Sequence, residues 1–331
     1  MKKFLQIICF GMNLKRCLCL HFKVSVVIPT YNRYHDLKEC LDSIFSLKNK
    51  PYEVIVVDSH SKDQTPKLKD RFPIRFISIR EKNRQYAKNI GISMAKGDII
   101  SFLDDDVILS EDWLTEIVKP YEDKTVGGVG GRVLPYGTPA DSYVEISKKD
   151  VGKVFTNGLV IGNFDLPADD MIEVDSFIGC NMSFKRDLLL AVGGFDENYL
   201  GTGYRDDTDL CLRIRKLGYR LIYNPKALVW HKFRGKKLDR NWAYWYIRNH
   251  TYFYLKNFFR NNVLKLPSFL LNMFFPPRDY VLKSQIKLNM DPLLIPTVLK
   301  GLLDGYNTWK RSSFKASITF KGAYKRLNFV P

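Results

Sequence analysis

No stretch of about 18 uninterrupted apolar residues, the length a membrane-spanning helix needs, occurs in this 331-residue chain. The short apolar run from Phe4 to Met12 follows Lys2 and Lys3, but Lys15 and Arg16 interrupt it and no small-residue cleavage site comes after it. It therefore reads neither as a span nor as a signal peptide. Residues 1–22 are expected to be a membrane-touching extension, or to be bypassed by a start at Met12. Paired cysteine spacing is also missing. Cys9, Cys17, Cys19, Cys40, Cys180 and Cys211 form neither a zinc pattern nor a secreted disulfide ladder, which points to a reducing cytoplasm. Glycine is absent from Pro29-Thr-Tyr-Asn-Arg33, the turn after the first expected strand, so the loop that grips a triphosphate in a sugar nucleotidyltransferase is not there. Acid is scarce at the C-terminal end. Residues 231–331 hold nineteen Lys and Arg against Asp239, Asp279, Asp291 and Asp304, and so carry almost all of the net charge of +17. The same stretch contains twenty aromatic residues, a mixture suited to an interface between water and anionic lipid. No nucleic-acid-binding module accompanies it, so nucleic acid is not expected as a partner.

What is present alternates. Val24-Ser-Val-Val-Ile28 is a β-branched run stopped by Pro29, and Val54-Ile-Val-Val57 is another stopped by Asp58. Between them Leu37, Leu41, Ile44 and Phe45 recur at helical spacing. Strands over 76–79 and 99–103 and a helix over 84–95 continue the alternation, which predicts an α/β fold with a mostly parallel central sheet flanked by helices. Ligands in such folds gather at the carboxyl ends of the strands. Val126–Leu134 reads as a strand with close backbone approaches, 135–175 as loops and short strands, and 187–192, 206–217 and 242–259 as helices. Pro267, Pro276, Pro277, Pro292 and Pro296 break the apolar runs after residue 266 into pieces suited to amphipathic helices. The expected organisation is an N-terminal extension over 1–22, one domain over 23–260 divided near 120, and a basic, aromatic helical region over 261–331 that associates with a membrane.

Three carboxylates, Asp104-Asp105-Asp106, directly follow the strand Ile99–Leu103. Adjacent carboxylates repel, and a hard divalent cation relieves that repulsion while bridging diphosphate oxygens. Pro29–Arg33 and Asp58–Thr65 end the neighbouring strands and belong on the same sheet edge. A nucleotide needs an acceptor for a base N–H and donors for ribose and phosphate, and Asp58, Thr30 and Arg33 supply those types.

Together Ser25-Val-Val-Ile-Pro-Thr-Tyr-Asn-Arg33, Val56-Val-Asp-Ser-His-Ser-Lys-Asp-Gln-Thr65, Ala95-Lys-Gly-Asp-Ile-Ile-Ser-Phe-Leu-Asp-Asp-Asp106 and Gly179-Cys-Asn-Met-Ser-Phe184 stand in order. The set, over roughly residues 24–260, resembles glycosyltransferase family 2, the inverting enzymes of the GT-A fold. The resemblance implies a uridine, guanosine or thymidine diphosphate sugar donor, a hexosyl or deoxyhexosyl group transferred, and Mn2+ or Mg2+. It places Pro29, Thr30, Tyr31, Arg33, Asp58, Ser59, Lys88, Asp104 and Asp105 at the nucleotide sugar, with Asp58 at the base and Asp104 on the ribose side. Asp106 and His231 become metal ligands, and Gly179 and Asn181 line the sugar site. Lys88 stands where the family commonly has arginine, and Arg84 and Gln85 replace small residues.

Tyr204-Arg-Asp-Asp-Thr-Asp-Leu-Cys-Leu-Arg213 resembles the family's acceptor-side segment. Asp207 is then the expected general base, and Asp206, its partner in the catalytic pair, is left to cap the helix or to orient a sugar hydroxyl. The implied reaction is a metal-assisted single displacement onto a hydroxyl of a glycan or lipid-linked glycan, at the cytoplasmic face of a membrane. The competing readings are a polyprenyl-phosphate monosaccharide synthase, whose phosphate acceptor needs no base, and a non-catalytic nucleotide-sugar binder.

Overall fold

The computed structural model describes residues 22–141, 150–232, 239–259, 263–274 and 294–313. The readings for the N-terminal extension, for 142–149 and for much of the basic C-terminal region lie outside them.

Strands β1 (Val24–Thr30), β2 (Glu53–Asp58), β3 (Arg75–Ser78) and β4 (Ile99–Leu103) pair in parallel in the order β3-β2-β1-β4. Side chains of a strand alternate between faces, and β1 shows the consequence. Val24, Val26 and Ile28 pack with Leu37, Cys40, Leu41 and Ile44 of helix α1 (Tyr34–Ser46), whereas Val27 packs with Ala87 and Ile90 of α2 (Arg84–Met94) on the other face. Both faces of the sheet are covered, so β1, β2 and β4 are buried at nearly every position, while the edge strand β3 leaves Arg75 and Ser78 exposed. Asn83 starts α2 by accepting from the backbone N–H groups of Gln85 and Tyr86, a cap worth about 1 kcal/mol.

After β5 (Val107–Leu109) and α3 (Trp113–Val118) comes β6 (Val126–Pro135), then the small hairpin of β7 (Lys153–Val154) and β8 (Val160–Ile161), and β9 (Ile172–Val174). Strand β10 (Asn181–Lys185) is wedged antiparallel between β4 and β6, and β11 (Arg220–His231) lies parallel to β6 with β5 and β9 on its far side. In this nine-stranded sheet β1, β2, β3, β4, β6 and β11 run one way and β5, β9 and β10 the other, so it is mostly parallel. It crosses the divide expected near residue 120 without a break. Helices α4 (Arg186–Ala191) and α5 (Asp206–Arg215) flank it, followed by α6 (Arg240–Asn257), α7 (Leu266–Phe274) and α8 (Ile295–Ser313).

The glycine run of β6 answers to packing. A Cβ at Gly130 would lie 2.4 Å from the Phe177 ring, and one at Gly131 would lie 1.9 Å from the carbonyl oxygen of Ala227. That close approach lets Asn181, fully buried, tie three elements together. Its Nδ2 donates to the carbonyls of Arg132 (3.1 Å) and Ala227 (2.8 Å), and its Oδ1 accepts from Trp113 Nε1 (2.9 Å). Asn181→Leu would strand one donor and two acceptors in the core. The expected loss is about 3 kcal/mol of unfolding free energy, read as a lower urea midpoint at unchanged slope.

Candidate active site

Parallel pairing brings Thr30, Asp58 and Leu103 to one edge of the sheet, and the chain then turns through the three carboxylates. The antiparallel return of β11 against β5 delivers His231 to the same place, opposite Val107. One ligand atom each from Asp104, Asp106 and His231 lie within 4.8 Å of one another. His231 Nε2 is 2.8 Å from Asp106 Oδ1, and Arg33 Nη1 is 3.4 Å from Asp106 Oδ2. Burial pushes the Asp106 carboxyl up, but the bond and charge from His231 and the charge of Arg33 prevail and hold it below its ordinary value. Two carboxylate oxygens and an imidazole nitrogen, with the Asp105 carboxylate close by, fit a hard or borderline divalent cation. Burial, opposed by Thr30 and Arg33 and aided by the neighbouring carboxylates, pushes Asp105 up to about 7.

Asp105 is fixed by Thr30, whose Oγ1 donates to Oδ2 at 2.8 Å. Asp58 is 1% exposed and accepts from the backbone N–H of Ser61 (3.1 Å) and from the Ser61 hydroxyl, so its carboxylate holds the turn after β2. Ser59 is buried and donates its N–H to the Thr30 carbonyl, while Tyr31 stays open on the rim with its hydroxyl 2.7 Å from Lys82 Nζ. Pro29 lies in register with Val57 of β2, in the last turn of strand before this edge.

Beside the carboxylates lies a cavity of about 340 Å³, whose wall includes Asp104, His231, Gly179, Arg84, Asp206 and Asp207. Arg205 holds a left-handed backbone (φ +76°) just before α5, whose first two residues, Asp206 and Asp207, diverge by about 100° around the helix axis. Asp206 faces inward. Its Oδ2 accepts from Lys88 Nζ (3.1 Å) and Gln85 Nε2 (3.0 Å), and both members of the ion pair are buried. Burial alone would raise Asp206, yet the charges of Lys88 and Arg84 and these bonds keep it below the carboxylate range. Asp207 is only half-buried and faces Gly179, where an added Cβ would lie 3.4 Å from Asp207 Oδ2. Burial and the charge of Asp206 push Asp207 up to about 6, against the opposing pull of Lys88, the Thr208 N–H and Arg205.

Of the residues expected here, Asp104, Asp206, Asp207, Gly179 and His231 meet on this cavity, Asp106 completes the metal-ligand cluster with Asp104 and His231, and Asp105, Thr30 and Arg33 stand beside that cluster. Lys88 turns to Asp206 and over the Phe195 ring (4.5 Å). Asn181 does not line the cavity, because both ends of its amide are spent inside the sheet. Two features were missed. Arg84 reaches the cavity and donates from Nη2 to the Thr202 carbonyl (2.9 Å), and Gln85 is the second support of Asp206. The loop 198–205 that frames the mouth is clamped by α6: Arg248 donates to the Asn198 carbonyl, Asn249 Nδ2 donates to the Leu200 carbonyl (2.8 Å), and Gly201 leaves room for the Trp245 ring. The positive φ of Gly201 and Gly203 was signalled only by the Gly-Thr-Gly spelling.

The family description "Glycosyl transferase family 2" matches residues 25–193, just over half of the chain. The chain belongs to glycosyl transferase family 2. A second family, described as the N-terminal domain of galactosyltransferase, matches residues 167–232 and spans β10, α5 and β11. This transferase is 29% identical over 243 residues to the glucosyl-dolichyl phosphate glucuronosyltransferase of Haloferax volcanii, covering 66% of this chain and 72% of that protein. It is 32% identical over 231 residues to the pre-mycofactocin glycosyltransferase of Mycobacterium tuberculosis, covering 66% of this chain but only 44% of the relative. Among solved structures, the Pyrobaculum calidifontis mannosyltransferase PcManGT, in complex with GDP-Man and Mn2+, superposes at a TM-score of 0.52 with 22% identity, over 92% of this chain and 78% of that one. S. aureus TarS 1-349 with UDP-GlcNAc gives 0.56 at 16% identity, over 86% and 81%. At these identities the likeness shows the shared GT-A fold. Sequence and fold together make the protein a glycosyltransferase.

Proposed function

We propose that this transferase moves a sugar from a nucleoside diphosphate donor onto a hydroxyl of a glycan or lipid-linked glycan by single displacement with inversion. The observation that carries the reading is the shared cavity, with Asp104 and His231 of the metal-ligand cluster and the open carboxylate of Asp207 on one wall. Asp104, Asp106 and His231 would hold Mn2+ or Mg2+, which supplies Lewis-acid neutralisation of charge on a departing diphosphate. The Mn2+ complex of PcManGT favours that ion class. Arg33 and Thr30 orient the carboxylates. Asp207 accepts the proton of the attacking hydroxyl, while Asp206, kept anionic by Lys88 and Gln85, raises the basicity of its neighbour. The acceptor named for the Haloferax relative, a glucosyl-dolichyl phosphate, supports a lipid-linked acceptor and hence work at a membrane surface. Because a phosphate acceptor needs no base, the presence of Asp207 on the cavity favours this reading over a polyprenyl-phosphate monosaccharide synthase.

A thermal-shift screen of nucleoside diphosphates with and without Mn2+ tests the donor side, since a ligand of the native state raises apparent stability by mass action. A stabilisation by one diphosphate that requires the metal is expected; no shift with any of them contradicts the reading. The base assignment adds a pH dependence. A carboxyl raised to about 6 is the active, ionised base above that pH, so kcat/KM should climb through about pH 6 to a plateau and fall tenfold per pH unit below it. An acid limb near pH 4, the ordinary carboxylate position, would remove Asp207 from this role.

A further inference from the structure

We propose that the outer face of α8 lies on an anionic lipid bilayer and docks the enzyme there. The inference rests on the membrane-surface reading above and names the surface that makes contact. Helix α8 has two unlike faces. Its inner face puts Val298 in one apolar cluster with Ala243 and Ile247 of α6, and approaches α6 through two glycines: a Cβ at Gly305 would lie 2.7 Å from the Arg248 carbonyl oxygen, and one at Gly301 would lie 3.0 Å from the Ile247 side chain. The opposite face carries Ile295, Leu299, Leu303 and Tyr306, which are 57%, 61%, 58% and 43% exposed. At about 100° per residue these four fall within one stripe roughly 80° wide. Lys310 falls inside that stripe, and Lys300 and Arg311 lie on its flank, all three exposed. The helix's one acid, Asp304, points away and accepts from the Tyr244 hydroxyl (2.7 Å). Four large apolar side chains turned to water with cations at their edge form the pattern of an interfacial helix, whose binding adds apolar burial to attraction for anionic headgroups.

Charge chooses this occupant over a second copy of the chain. Lys300, Lys310 and Arg311 are exposed on or beside the stripe while the helix's acid, Asp304, is bonded to Tyr244, so two such faces would repel. No described helix is long and apolar enough to cross a membrane, so the contact is one of lying on it. The face is also coupled to the acceptor side of the cavity. Arg248 of α6 bonds Thr308 of α8 (2.8 Å) and the Asn198 carbonyl at the start of the loop that frames the mouth. One helix therefore separates the lipid-facing stripe from the loop.

Flotation of the full chain with phosphatidylcholine vesicles containing phosphatidylglycerol, and with pure phosphatidylcholine vesicles, tests this directly. Wild type should float with the anionic vesicles and largely lose that binding in high salt. Leu299→Glu with Leu303→Glu should weaken flotation at least about tenfold, since it removes apolar burial and adds repulsion. Far-UV circular dichroism and the metal-dependent nucleotide thermal shift should stay unchanged, which separates a failed docking face from a failed fold or a failed transferase reading. A milder Leu299→Ser variant serves if the double variant does not fold. Equal flotation of variant and wild type, equal binding to neutral vesicles, or a wild-type dimer that the variant converts to monomer would each overturn the proposal.

Discussion

Asp207→Asn should leave nucleotide and metal binding intact and slow transfer by roughly a hundredfold to ten-thousandfold, the usual contribution of a positioned base. The substitution keeps the size of the side chain and removes only its capacity to take a proton. Asp206→Asn should behave differently. Asp206 is buried against Lys88 and Gln85, so its loss leaves the Lys88 ammonium buried without a counter-charge. That is expected to cost about 3 kcal/mol or more of stability and to lower the pKa of Asp207 by removing a neighbouring negative charge. Denaturation midpoints and pH profiles of the two variants, measured side by side, therefore separate the roles. Reversed effects would move the base to Asp206, and unchanged turnover in both would place it outside α5.

Excess chelator should abolish transfer, and Mn2+ or Mg2+ should restore it. Asp106→Asn should cost at least roughly a hundredfold in rate, as expected when a positioned electrostatic group is lost. The effect has two physical sources: the amide is a poorer ligand, and Arg33 and His231, both in contact with Asp106, lose the charge that orients them. Steady-state rates across a Mn2+ titration separate the two, because a weaker ligand shifts the midpoint while misorientation lowers the plateau. Full activity in excess chelator would contradict the cluster's proposed part in the reaction.

Much of this was legible in the residues. The β-branched runs over 24–28, 54–57 and 99–103 stop at Pro29, Asp58 and Asp104, so the parallel edge and the residues on it could be placed from spacing alone. Strands β1 and β2 extend one or two residues beyond those runs because backbone pairing, rather than hydrophobicity, ends them. The helix over 206–217 ends at Arg215, with Gly218 in a positive-φ turn soon after it. What the residues could not tell is which polar groups are spent internally. Asn181 sits in a motif that suggested the sugar site, yet its amide fastens β6, β10 and β11 around Trp113. Asp58 likewise spends part of its carboxylate locally, on the backbone N–H and hydroxyl of Ser61. Those partners lie 68 and 49 positions from Asn181 in one case and three from Asp58 in the other, so neither distance along the chain nor proximity betrays them. The divergence of Asp206 from Asp207 follows from the helical spacing of about 100° per residue, but the partners that hold Asp206, Lys88 and Gln85, lie more than a hundred positions away in sequence. The outward stripe of α8 was hidden for another reason: its period is helical, but which side packs on α6 is decided by Gly301 and Gly305.

The most direct test of the account is the anomeric configuration of the first-formed product, read by proton NMR from the coupling across the new glycosidic carbon, with the donor selected in the diphosphate screen. Single displacement with Asp207 as base predicts inversion relative to the donor in every turnover. A product that retains the donor's configuration would contradict it, because retention requires attack from the same face as the leaving diphosphate or a second displacement for which Asp207 is not the base.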